Sequence, residues 1–390
     1  MRSQKANANT VRSVNRTLLL NLLRREGSLS RVQLKDLTGL SGAAITGVVA
    51  ELIGEGVVME TTPLPSSGGR PPVLLTINYK SRAAIGVKLM ERELTAVLTD
   101  AGANIEASVV LPLSAYDPQT VVDHIAQVVE VLLQKTGRPR SELLGVGIGM
   151  AGLIDHETGT CINSPYLKWN HVPIARMVEE QLSLQAIIDN DVNAFAAAER
   201  LFGEAINCNH FFVVTVGRGI GSGLVLSGQT YRGFSGTAGE FGHVTTEPGG
   251  RICECGKRGC LEAYASDVSL LARYRELKPE VQSLEGMVEA FHEGEPIAMA
   301  LIEDAGKRIG VALANVVNLL NPQLIVIGGE GIRLPGRYFE QMEQHLRLNV
   351  YPGLNVDLDI RTEHWGDEGW ARGAASLVLQ STFDFSLGHS

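Results

Sequence analysis

The chain has 390 residues, 44 % of them hydrophobic, with 34 Lys and Arg against 43 Asp and Glu for a formal net charge of −9. That length amounts to about two to three domains. No apolar run approaches the roughly 20 residues that a bilayer-spanning helix needs, so no membrane-spanning protein is expected. The start, Met1-Arg2-Ser3-Gln4-Lys5, lacks the apolar core of a secretory leader, and a soluble cytoplasmic protein is the expectation.

The acidic average argues against a nucleic-acid partner until it is divided along the chain. Residues 1–80 hold ten basic side chains (Arg2, Lys5, Arg12, Arg16, Arg24, Arg25, Arg31, Lys35, Arg70, Lys80) and five acidic ones (Glu26, Asp36, Glu51, Glu55, Glu60). A basic head on an acidic body is the pattern of a binding module. Within the head, Val14, Leu18, Leu19, Leu22 and Leu23 recur at helical spacing over 11–25. Ser30 can cap a short helix to Leu37, Thr38-Gly39-Leu40 is a turn, and Ser41 can cap a second helix over Gly42 to Ile53. This helix buries Ile45, Val48, Val49 and Leu52 and leaves Ser41, Gly42, Ala43, Ala44 and Thr46 as a small-residue surface able to approach DNA. Residues 57–61 and 72–77 read as the strands of a wing. The stretch Pro63 to Pro72 between them, rich in Pro, Gly and Ser, is also the clearest compositional boundary. Its Gly69-Arg70-Pro71 can lay an arginine into a narrow minor groove, and Arg31 is a further candidate DNA contact.

Beyond the wing the pattern turns α/β. Strands are predicted over 83–87, 94–98 and 106–111, a helix over 119–134 and a buried strand over 144–149. The layout then recurs, with strands over 210–216 and 223–226, a long apolar helix over 297–320 and a strand over 324–327. This predicts a DNA-binding domain over 1–80 and two α/β lobes over 81–190 and 191–390, with the final helix able to return to the first lobe. A ligand is expected in the cleft between the lobes.

His243 and the run Cys253-Glu254-Cys255-Gly256-Lys257-Arg258-Gly259-Cys260 supply one imidazole and three thiolates, the soft donor set of a closed structural zinc site. Three more polar, glycine-rich stretches stand out around Asn190-Asp191, Glu240 and Glu262, whose short hydrogen-bonding groups beside backbone kinks suit the hydroxyls of a sugar.

The run from Gly145 to Ser266 resembles the ROK family of repressors, open reading frames and sugar kinases. The resemblance rests on Gly239-Glu240-Phe241-Gly242-His243, on the Cys-x-Cys-Gly-x-x-Gly-Cys loop at 253–260 and on Leu261-Glu262 directly after it. It implies an actin-like two-lobed body and a sugar cleft formed by Asn190, Asp191, Glu240, His243 and Glu262, with Asp191 in the place of the kinase general base. Family kinases carry Asp-x-Gly-Gly-Thr after the first strand, where bare amides cradle phosphates. Here that place holds Lys88-Leu89-Met90-Glu91-Arg92, so Asp191 is expected to be a vestigial base that accepts hydrogen bonds from sugar. The resemblance, closest to the xylose-repressor branch, implies a repressor that is no enzyme. It would bind an inverted-repeat double-stranded DNA operator as a homodimer or dimer of dimers, release it on binding a neutral monosaccharide such as xylose or glucose, and carry structural zinc. The alternatives are an active ATP-dependent sugar kinase fused to a DNA-binding head, and a protein scaffold that no longer binds sugar.

Overall fold

The computed structural model of the chain describes residues 8–61, 72–354, 357–363 and 366–382. They fall into two compact units, Met1–Asn207 with Asp367–Ser390, and Cys208–Gly366.

The head consists of α1 (Ala8–Glu26), β1 (Leu29–Ser30), α2 (Arg31–Thr38), α3 (Gly42–Gly54), β2 (Val58–Thr61) and β3 (Leu74–Ile77). Local chemistry sets its helix ends. The Ser30 hydroxyl accepts from Gln33 N–H while Ser30 N–H donates to the Gln33 side chain, a reciprocal capping box, and Gly39 closes α2 in the left-handed region at φ 68°. Ser41 caps α3 by accepting from Ala44 N–H. Leu19, Leu20, Leu23, Leu34, Ile45, Val48, Val49 and Leu52 close the core between the three helices. Strand β3 pairs on both sides, with β1 and with β2. Two residues are too short for a sequence pattern, which is why β1 is not legible from sequence.

The Pro-rich stretch is not a domain boundary. Thr61 pairs with Leu74 across it, so residues 62–71, which lie outside the described residues, connect the two wing strands. The head passes into the body through a single 3-10 turn, Tyr79–Ser81, and its apolar core is continuous with Ala84, Ala101, Ala103 and Leu201.

The body of this unit contains β4 (Ala83–Leu89), β5 (Glu93–Asp100), β6 (Ile105–Pro112), α4 (Pro118–Thr136), β7 (Leu143–Met150), a meander of β8 (Leu153–Asp155), β9 (Thr160–Ser164) and β10 (Trp169–Val172), then α5 (Ile174–Leu182), β11 (Ala186–Asn190) and α6 (Asp191–Phe202). The main sheet runs β11-β7-β4-β5-β6, with β11, β7 and β4 parallel. The second unit repeats the plan: β12 (Phe211–Val216), β13 (Ile220–Leu226), β14 (Gln229–Thr230), α7 (Glu262–Ala265), α8 (Asp267–Arg275), α9 (Leu284–His292), α10 (Pro296–Leu320), β15 (Leu324–Gly328), α11 (Gly336–Asn349) and β16 (Asp359–Thr362). Its sheet order is β14-β13-β12-β15-β16, with β12, β15 and β16 parallel.

The last helix, α12 (Asp367–Thr382), belongs to the first unit. A side chain on Gly86 or Gly147, neighbours in register on β4 and β7, would stand 1.8 Å from the carbonyl oxygens of Ala371 and Ala374. The helix therefore lies on bare strand backbone. Helix α6 packs beside α12, with Gly373 against the Ala194 carbonyl. The final helix returns to the first unit, and residues 191–207 stay with that unit as well, unlike the sequence division at 190/191.

Gly147→Ala places a methyl group against a carbonyl that its helix cannot withdraw. It is expected to lower stability by at least about 2 kcal/mol, read as a reduced midpoint in urea unfolding followed by circular dichroism.

Candidate functional site

In the second unit, two isolated bridges, Thr245 with Cys260 and Ile252 with Arg258, fold the 243–260 segment back on itself. Cys253 N–H donates to the Lys257 carbonyl and Gly256 N–H to the Cys253 carbonyl, closing a tight knuckle. Gly259 has φ 80°, and a Cβ there would meet the Glu247 carbonyl at 1.8 Å, so only glycine lets the chain turn and deliver Cys260. The result brings His243, Cys253, Cys255 and Cys260 together, with their ligand atoms within 4.8 Å of one another. The Sγ of Cys253 is 3.6 Å from His243 Nδ1, and the sulfurs of Cys255 and Cys260 are 3.8 Å apart. A tetrahedron of sulfur ligands about 2.3 Å from an ion has edges of about 3.8 Å, so the donor set fits a four-coordinate metal. Burial pushes the Cys253 thiol up to about 12 and raises Cys260. At Cys255 burial also acts upward, but N–H donation from Lys257 and the neighbouring thiols bring it down on balance.

Glu240 and Glu262 flank this group. Glu262 Oε2 accepts from Ile220 N–H at 2.9 Å, and its other oxygen lies 3.7 Å from Cys253 Sγ. Glu240 Oε2 is 3.8 Å from His243 Nε2, too long for a hydrogen bond. Its carboxyl is raised by burial, partly offset by His243 and reinforced by Glu262. The imidazole thus turns Nδ1 to the thiols and Nε2 to a carboxylate.

Asn190 and Asp191 lie in the first unit, at the carboxyl ends of the parallel strands, the position where open α/β sheets bind ligands. Asn190 caps α6, accepting from Val192 N–H, and its amide donates to the Gly152 carbonyl. Buried Asp189 accepts from Asn190 N–H and from the Asn193 amide, and His156 Nδ1 stands 3.3 Å from its other oxygen. Asp191, first residue of α6, is ion-paired with Lys88 at the end of β4, with both side chains mostly buried at 12 % and 15 % exposed. Lys88 Nζ also lies 4.7 Å from the centre of the Trp370 ring. The partnership of Lys88 and His156 with this site is invisible in sequence, since both come from far along the chain, Lys88 lying 103 positions from Asp191.

In the head, Ser41, Gly42, Ala43 and Thr46 are exposed and Ala44 is half-buried, while Arg70 lies outside the described residues. Much of the head's basic charge is spent internally. Arg12 and Arg16 pair with Glu51 of α3 and with Glu55 at its C-cap, and Arg31 pairs with Glu60 of the wing. Arg24 is buried, lowered to about 10 by desolvation, and donates to the Leu201 carbonyl at 2.5 Å. It thereby caps the last turn of α6 from outside.

A profile of the ROK family matches residues 84–381. The xylose repressor of Bacillus subtilis is 28 % identical over 96 % of this chain and 97 % of its own length. The DNA-binding transcriptional dual regulator NagC of Escherichia coli is 29 % identical over 97 % of this chain and 95 % of its own. The crystal structure of a ROK family transcriptional regulator, a homologue of the E. coli MLC protein, superposes with a TM-score of 0.84 at 26 % identity, covering 97 % of this chain and 98 % of that one. The ROK hexokinase of Thermus thermophilus superposes with a TM-score of 0.67 at 29 % identity, covering 75 % of this chain and 97 % of its own.

Elemental analysis is expected to find about one metal ion per chain, reduced to background in Cys260→Ser. Because the raised Cys253 and Cys260 thiols must lose protons to ligate, metal affinity is expected to fall as pH is lowered, measured by chelator competition.

Proposed function

The chain belongs to the ROK family, and on that premise we propose that it is a sugar-responsive, DNA-binding transcriptional repressor with a neutral monosaccharide of the xylose or glucose class as effector. The observation that carries this reading is the head. The regulators match the chain from end to end, whereas the hexokinase matches a share close to that of the ROK region alone. Among the described residues no helix is long and apolar enough to cross a membrane, in keeping with a cytoplasmic regulator.

The small face of α3 formed by Ser41, Gly42, Ala43, Ala44 and Thr46 is assigned to the major groove, Arg31 to the backbone and Arg70 to the minor groove. A dimer presents two such helices to an inverted repeat. Asn190, Asp191, Glu240, His243 and Glu262 are assigned to sugar hydroxyls. The metal is assigned as structural zinc, since all four ligands come from protein and no position stays open for chemistry. His243, Cys253, Cys255 and Cys260 would hold the ion, which would cross-link His243 to the 253–260 loop, and the chain's own contribution is to aim Nε2 of that histidine away from the sulfurs.

Phosphoryl transfer is not assigned to this member. Catalysis of that reaction is positioning and charge neutralisation around a nucleotide. Met90, Glu91 and Arg92 are taken, by resemblance to the kinases' phosphate loop, as bulky replacements for bare amides, and the engagement of the Asp191 carboxylate by the Lys88 ammonium supports this reading.

Three measurements test the reading. In a thermal-shift panel of D-xylose, D-glucose, N-acetylglucosamine and their phosphates, a specific sugar at 100-fold above Kd is expected to add about 2.7 kcal/mol. A panel without any sugar-dependent shift overturns it. A coupled assay with ATP, magnesium and the same sugars is expected to stay below about 1 turnover per second, the low end for enzymes; faster turnover establishes the kinase reading instead. Arg70→Ala is expected to weaken binding to duplexes selected from a random pool several-fold at physiological salt.

A further inference from the structure

We propose that Lys88 is a ligand-reading residue of the sugar site. Its ammonium and the Asp191 carboxylate form one clamp for a single unphosphorylated sugar hydroxyl, whose oxygen accepts from Lys88 Nζ while its proton is donated to Asp191. This rests on the sugar-sensing reading above and adds to it a residue and a ligand charge.

The clamp follows from register. Lys88 on β4 and Asp189 on β11 both face Gly149 of β7. Gly149 has no side chain, and Asp191 Cα sits 3.6 Å from where its Cβ would be. Lys88 reaches Asp191 across β7, over a position that carries no side chain. Trp370 of α12 backs the ammonium. An ammonium carries three protons. Asp191 takes one and the ring face receives another, which leaves a donor for a ligand. The carboxylate likewise keeps accepting capacity beyond the Lys88 bond.

A desolvated ion pair is a weak net stabiliser, but charge-assisted bonds from both of its members to one hydroxyl are strong and directional. The pair also sets the charge of the ligand. Because Asp191 already neutralises Lys88, a phosphate ester arriving here meets a carboxylate without a spare cation, whereas a hydroxyl satisfies both groups.

The test uses the full chain, the tightest-binding free sugar of the panel, its monodeoxy analogues and its phosphate, with affinities from titration calorimetry. Lys88→Met is expected to weaken the sugar by about 10- to 100-fold, with Lys88→Arg recovering part of the loss. In the wild-type chain one deoxy analogue is expected to bind about 10-fold or more worse than its siblings, and in Lys88→Met that penalty is expected to vanish. This cancellation marks a direct contact and would not follow from a general loosening of the fold. If Lys88→Met does not fold, the charge-free pair Lys88→Met/Asp191→Asn takes its place with the same expected loss of the deoxy penalty. Unchanged affinity, an equal loss across all analogues, or tighter binding of the phosphate than of the free sugar overturns the assignment while leaving sugar sensing intact. Absence of any sugar binding by the wild-type chain overturns the sensing reading instead.

Discussion

The carbonyl oxygens of Ala371 and Ala374 occupy the space that side chains on Gly86 and Gly147 would fill, so the last helix lies on two bare strands. Much of the first unit depends on this approach. It holds Trp370 against Lys88, lets α6 pack beside α12, and brings Ala375, Val378 and Leu379 into the same apolar core as the leucines of α1. A helix resting on side chains would stand further from the sheet and withdraw all three together. The small residues of α12, Ala371, Gly373, Ala374 and Ala375, are what two backbones need in order to meet.

The parts of the molecule that were legible in sequence are those whose cause is local. Ser30 and Ser41 announce their helices because the capped amides lie within three residues. The cysteine loop is legible because its sulfurs fall in one short knuckle whose glycines permit the turns. The glycines of β4 and β7 are a different case. They look like weak positions in strands, and only the arrival of a helix more than 200 residues later gives them a reason. The Pro-rich segment reads both as the joint of the wing strands and as a boundary, since its composition suits a hairpin tip and a linker equally, and the pairing of Thr61 with Leu74 supports the first.

The basic head shows the limit of counting charge. Its excess points to a nucleic-acid partner and is unchanged by the pairs of Arg12, Arg16 and Arg31 with carboxylates of the head itself, whereas Arg24 spends its own charge on the end of α6. Screened surface pairs of this kind hold little energy each and open readily to a polyanion. Arg24 differs, being desolvated against carbonyls that have no other hydrogen on offer from their own helix.

Arg24 and the shared leucine core have a consequence for modularity. The head is fastened to the body by one 3-10 turn, a continuous apolar seam and a buried guanidinium, so little orientational freedom is left to lose when it meets its target, a form of preorganisation. Such a head does not travel alone. A chimera that keeps α3 on another body would have to bring Ala84, Ala101, Ala103, Leu201 and the apolar face of α12 with it, so the transferable block is larger than the head itself.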